Sequence, residues 1–190
     1  MPEMSATARW FVGRTNGPLY RRFVRRWLLQ SLKLPAGPAI LEIGSGSGDL
    51  GLLVHELFRP SRLVETDHDP AQVTATRASF VRALGRVPPE VAVEQADALS
   101  LSYPDRSFDA AFAFLVLHHL GGHFGRKAHE SFERGLSELD RLLKPGGQLV
   151  YLELVQLGTI RRFLQARGYV AVARHRTLGL LERAIWRKPG

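Results

Sequence analysis

Apolar and polar positions change period from block to block along this chain. Between residues 18 and 34, Phe23, Val24, Trp27, Leu28, Ser31 and Leu32 recur at helical spacing. Arg21, Arg22, Arg25, Arg26 and Lys33 gather elsewhere around the axis, which predicts an amphipathic basic helix. Pro35-Ala36-Gly37-Pro38 then breaks it. From there short apolar runs alternate with helical stretches. Strands are predicted at Ala39–Ile43, Arg62–Glu65, Val91–Gln95, Phe108–Leu115 and Gln148–Leu154. Helices are predicted from Asp49 to Phe58, Pro70 to Leu84, Lys127 to Leu143 and over 159–167. The Phe108 strand is almost wholly apolar, as in a strand buried on both faces. Lys144-Pro145-Gly146-Gly147 reads as a helix stop. Two further strands, Tyr169–His175 and Leu181–Trp186, are joined by a link too short for a parallel crossover. They are expected to form an antiparallel hairpin at a sheet edge. The whole pattern predicts an α/β fold with a mostly parallel sheet and helices on both faces.

Composition adds boundaries to that picture. The 190 residues fit one core domain, 39–190, preceded by a basic helical segment, 1–38, expected to cap its site. The formal charge is +8. Residues 1–35 hold seven basic groups and one acid, and residues 155–190 hold eight and one. The two basic ends are either a solvated surface or a face for an anionic partner, membrane or nucleic acid. The chain has no cysteine, which excludes disulfides, thiolate metal sites and thiol nucleophiles. The longest apolar run, Ala110–Leu117, is too short to span a bilayer. No secretory-type run follows the first residues, so a cytoplasmic location is expected.

The chemistry concentrates after the first strand, in Leu41-Glu42-Ile43-Gly44-Ser45-Gly46-Ser47-Gly48. Glycines there allow a ligand to approach the backbone. Gly46 to Gly51 also fits the dinucleotide spacing G-x-G-x-x-G, a weak signal alone. Glu42 opposes that reading: a carboxylate beneath the loop repels a pyrophosphate but suits an ammonium group. Asp67 follows the glycines by about twenty residues, the separation at which an acid can bond ribose hydroxyls. Asp69, before Pro70, fits a helix N-cap. Asp97 closes the third strand and is either an adenine contact or an ordinary turn aspartate.

The order of these acids, with the words around them, resembles the class I S-adenosylmethionine-dependent methyltransferases. The matching text continues through Ala96-Asp97-Ala98, Tyr103-Pro104-Asp105-Arg106-Ser107-Phe108-Asp109, Val116-Leu117-His118-His119-Leu120 and Leu142-Leu143-Lys144-Pro145-Gly146-Gly147. The last three words look most like the quinone and small-molecule branch. The resemblance implies a Rossmann-like, doubly wound, seven-stranded sheet with S-adenosylmethionine as methyl donor and S-adenosylhomocysteine as product. By the same resemblance Gly44, Gly46 and Gly48 pass under the donor's methionine end, and Glu42 orients its ammonium. Asp67 holds the ribose hydroxyls, His68 lies near the adenine face, Asp97 and Ala98 meet the adenine edge, and Phe114 lines the methionine side. His68 departs from the aliphatic residue usual at its place.

A general base is needed only where the acceptor must lose a proton. His118 and His119 are the candidates, with Glu153 and Tyr151 behind them. His119 and His123 have a metal-ligand spacing on a helix, but Gly121-Gly122 between them points to a loop, and no metal is expected. Without cysteine, the thiol adduct of pyrimidine C5 methylation is excluded. No Asn-Pro-Pro-aromatic or Asp-Pro-Pro-aromatic word follows the fourth strand, which argues against methylation of base amines. Only Leu154–Gly158 separates the fifth strand from the next helix, which leaves no room for a lid. The expected acceptor is a small or lipid-like molecule: a quinone precursor, a phospholipid headgroup or a secondary metabolite. Residues 18–34 either pack on the domain or touch a membrane surface. The alternatives are an RNA methyltransferase using the basic ends as a phosphate clamp, and a non-catalytic donor-binding partner subunit.

Overall fold

The computed structural model describes residues 18–120, 126–177 and 181–190. The chain divides into two compact units, Met1–Lys33 and Leu34–Gly190. In the first, α1 spans Pro18–Ser31 and buries Val24, Trp27 and Leu28. Phe23 belongs to the same sequence stripe yet is 46% exposed.

The second unit carries β1 (Ala39–Ile43), α2 (Asp49–Phe58), β2 (Arg62–Asp67), α3 (Pro70–Leu84), β3 (Val91–Gln95) and β4 (Phe108–Phe114). It continues through α4 (Arg126–Leu142), β5 (Leu143–Glu153), α5 (Leu157–Ala166), β6 (Val170–Thr177) and β7 (Leu181–Arg187). The seven strands form one sheet in the order β3-β2-β1-β4-β5-β7-β6. Strands β1 to β5 pair in parallel, and β7 runs antiparallel to both β5 and β6. The expected doubly wound α/β fold with its antiparallel hairpin is therefore present. Within that hairpin β7 takes the inner place and β6 becomes the edge.

One face of the sheet buries Leu41, Ile43, Ala111, Ala113, Leu149 and Tyr151 beneath α4 and α5. Phe132, Leu136, Leu139 and Leu142 supply the α4 side of this core at helical spacing. On the other face, α2 and α3 lie against β2. The chain winds outward from β1 to β3, then returns to β4 on the far side of β1. That reversal opens a crevice at the carboxyl ends of β1 and β4, where open α/β sheets bind ligands.

Several element bounds shift by one to three residues from expectation, and two differences change the reading. Helix α4 stops at Leu142, as expected, but strand β5 begins at Leu143, not Gln148, so Lys144-Pro145-Gly146-Gly147 also lies inside a strand. A register shift between Phe108 and Ala110 absorbs the extra residues. Tertiary partners hold this irregular stretch: Lys144 Nζ donates to both Asp109 oxygens at 2.9 Å, and Lys188 N donates to Gly147 O at 2.8 Å. Strand β4 stops one residue early because Leu115 takes the left-handed conformation, φ 53°.

Candidate active site

The loop after β1 is held from three sides. Ser45 N donates to Thr66 O (2.9 Å), and Ser45 Oγ lies 3.0 Å from Thr76 Oγ1. Thr76 Oγ1 also reaches Gly46 O at 3.0 Å. Gly46 N donates to Asp67 Oδ2 at 3.0 Å. Thr76 sits on α3 and has no signal in the sequence, because nothing local marks a helix residue that reaches back thirty positions.

The glycines do different work. A Cβ on Gly44 would fall 2.4 Å from Val116 Cγ2, so Gly44 allows the loop to pass the end of β4. Gly46 has φ 53°, and no atom of the described residues lies within 4 Å of its Cβ position. The loop therefore presents bare backbone to open space at Gly46. Gly48 turns away from that space, toward Thr76, and caps α2.

Asp67 is tied into the same loop. Its Oδ2 accepts from Gly46 N and its Oδ1 from Asp69 N, at 3.0 and 2.9 Å. A carboxylate has about four acceptor positions, so each oxygen keeps one lone pair for a ligand hydroxyl. Asp69 is the N-cap of α3, accepting from Ala71 N at 2.8 Å. His68 is exposed beside it, and its carbonyl accepts from Gln95 Nε2. Asp97 is exposed and forms a turn, its Oδ1 accepting from Leu99 N at 2.9 Å; Ala98 is half-buried. Asp97 also lines a cavity of about 350 Å³ with Glu94, Gln95 and Tyr103. None of that cavity's lining residues belongs to the glycine loop.

Beneath the loop, Glu42 is 3% exposed and Glu65 is fully buried directly opposite it on β2. Burial, and then the neighbouring Glu65, hold the Glu42 carboxyl well above the ordinary carboxylate range. Burial pushes Glu65 up to about 7. Glu65 was not legible as a site residue, because strand register is absent from the sequence.

On the other wall, Phe114 is half-buried at the end of β4, its ring tilted on Phe112 at 6.2 Å between centroids. A 3₁₀ turn, Leu117–His119, follows. His118 Nδ1 lies 2.8 Å from Oε1 of the fully buried Glu153 at the end of β5. Glu153 also accepts from His118 N (3.3 Å) and Leu154 N (2.8 Å). A carboxylate only accepts, so Nδ1 carries the proton and Nε2 is the basic nitrogen. His119 is exposed, with its ring centroid 3.9 Å from that of His118. His123 lies outside the described residues. Tyr151 shares the face of Glu153, but its hydroxyl donates to Glu182 Oε1 at 2.6 Å and belongs to a separate network. Only residues 154–156 link β5 to α5.

The sequence model of the family described as "Methyltransferase domain" matches residues 41–151. The chain belongs to the class I S-adenosylmethionine-dependent methyltransferases. A demethylmenaquinone methyltransferase from Thermus thermophilus is 35% identical over 132 residues, covering 67% of this chain and 54% of that protein. The chain spans about half the length of the curated relatives it matches. Among solved structures, the N-methyltransferase NodS from Bradyrhizobium japonicum, in complex with S-adenosylhomocysteine, superposes with TM-score 0.71. It is 20% identical, with 92% of this chain and 89% of that chain covered. The [4+2]-cyclase SpnF also reaches TM-score 0.71, at 20% identity, covering 90% and 81%. At this identity these two likenesses describe the fold. Family and donor thus agree with the sequence reading. Among the described residues, no helix is long and apolar enough to cross a membrane.

Proposed function

We propose that this chain transfers a methyl group from S-adenosylmethionine to a small-molecule acceptor, with a quinone precursor the leading class. The observation that carries the donor site is the Gly46 amide bonded to Asp67, with open space above Gly46. The residues present fit a cationic nucleoside. Apart from the neighbouring acid Glu65, Glu42 Oε2 is buried with no hydrogen-bond partner among the described residues, which suits an ammonium group. Asp67 has lone pairs left for two ribose hydroxyls. His68 would flank the adenine face, Asp97 and Ala98 its edge, and Phe114 the methionine side. Gly44 lets the loop close on Val116, and Gly48 aims α2.

When bound, the donor supplies a methyl group on a positively charged sulfur. The acceptor atom forms the new bond to carbon as the carbon–sulfur bond breaks and sulfur keeps the electron pair. The protein's work is to hold the two in line and exclude water. For an acceptor hydroxyl, His118 Nε2 takes the proton, with Glu153 holding Nδ1. His119 stacks against that ring. The acceptor class comes from the relatives, which include demethylmenaquinone methyltransferases.

Thermal denaturation with S-adenosylhomocysteine tests the donor site, since a ligand of the native state raises the melting temperature. A rise is expected, and Asp67→Ala should remove most of it. Incubation with deuterated S-adenosylmethionine and demethylated quinols, read by mass, tests the acceptor. No labelled product from any quinol would remove that acceptor class.

A further inference from the structure

Glu42 and Glu65 occupy the same level of adjacent parallel strands, so their side chains project from one face of the sheet. Both are buried, Glu65 completely. Helix α2 closes over them so tightly that a Cβ on Gly51 would fall 2.4 Å from Glu65 Cδ. Apart from each other, neither the Glu65 oxygens nor Glu42 Oε2 has a hydrogen-bond partner among the described residues. Other charges acting on Glu42 make matters worse, since Asp67 from the end of β2 and Asp49 from α2 are both acids. Facing the loop, α3 contributes the neutral Thr76. Two unpaired buried carboxylates cost several kcal/mol, and the nearest relief is a proton held between them.

We propose that Glu65 is a positioning residue of the donor site, sharing one proton with Glu42 in the free protein and giving it up when the donor's ammonium arrives. This rests on the donor reading above. The ammonium supplies the positive charge that the shared proton supplied before, and both carboxylates then ionise. The released proton passes to solvent. Donor binding therefore counts as an exchange of one cation for another. Burial of both acids, joined at Glu42 by the charge of Glu65, raises this exchange toward neutral pH. Linkage then makes donor affinity rise about tenfold per pH unit while the free pair holds its proton, and level off once it has lost it.

Calorimetric titration with S-adenosylhomocysteine, in buffers of different ionisation enthalpy between pH 6 and 8.5, reads this directly. Close to one proton should be released at pH 6, with the number falling through neutral pH to little above pH 8. The dissociation constant should fall over the lower range and flatten over the upper. Glu65→Gln puts a permanent amide donor beside Glu42, so this variant should bind with no proton release and with a constant affinity across the range. Binding by the unmodified protein with no proton release and a flat profile overturns the proposal while leaving the donor site intact. Unchanged proton release in Glu65→Gln also overturns it. No binding at any pH overturns the donor reading itself, and the proposal with it. The unmodified protein decides the question even if the variant fails to fold.

Discussion

Glu153 and Glu182 stand directly opposite each other on β5 and β7, and both are fully buried. Two acids so placed persist because each has its own partners. Glu153 is met by the His118 ring and two backbone amides at the crevice. Glu182 is met by the Tyr151 hydroxyl, and by Arg174 and Arg176 at 3.1 Å each. One acid holds the His118 ring and the other secures the hairpin to the sheet.

Removing the base should slow turnover without emptying the donor site. His118→Ala is expected to lower kcat by about a hundredfold to ten-thousandfold for a hydroxyl acceptor. Glu153→Gln, which keeps an acceptor for Nδ1, should lower it less. S-adenosylhomocysteine affinity, measured by calorimetry, should move less than threefold in either. An unchanged kcat in His118→Ala would mean that the acceptor needs no base.

Glu182 links the hairpin to acid stability. Burial alone would raise its pKa, but the bonds from Tyr151, Arg174 and Arg176 hold it below the usual carboxylate range. The stabilisation is therefore present above the ordinary carboxylate pKa and lost as pH falls through the lowered value. Glu182→Ala should destabilise the protein by about 1–3 kcal/mol at pH 7 and by less near pH 3, in urea denaturation.

The Glu42–Glu65 pair has the opposite sign. A carboxyl raised from 4.5 to about 7 favours folding at low pH and opposes it as pH rises through that interval. Its full ionisation costs about 3 kcal/mol. Glu65→Gln should thus raise the urea midpoint at pH 8 and leave it nearly unchanged at pH 5. Equal shifts at both pH values would show that the substitution acts through packing alone.

The two loop glycines should separate folding from binding. Gly44→Ala drives a methyl group into Val116 at 2.4 Å and should lower the melting temperature sharply. Gly46→Ala meets no clash and pays only for its left-handed backbone, about 1–2 kcal/mol. It should still fold, but bind S-adenosylhomocysteine at least tenfold more weakly. Gly46→Ala with full affinity would move the donor away from this loop.

Much of the core was readable from residue order. The apolar Phe108 run became β4, and Pro70 opened α3 behind the Asp69 cap. Lys144-Pro145-Gly146-Gly147 does follow the end of α4, as its local chemistry implies, but Asp109 and Lys188 also carry these residues into β5, which local order does not reveal. Asp97 remains the turn residue that its local sequence allows, and its adenine role rests on the family likeness. Glu153 was visible as an acid on the right strand. Its bond to His118 spans thirty-five residues and has no local signature.

By itself the sequence determined what depends on near neighbours: the type and order of the elements, which loop is rich in glycine, and which strand ends carry acids. These follow from backbone sterics and from the period of burial. Tertiary structure alone decided what depends on register and helix placement. It set Glu65 opposite Glu42 under Gly51, brought Thr76 to Gly46, and put Glu153 against His118. Those contacts fix which groups meet at the crevice. Charge in a buried site is governed by the few atoms within hydrogen-bond reach, and the folded chain chooses those atoms from distant segments.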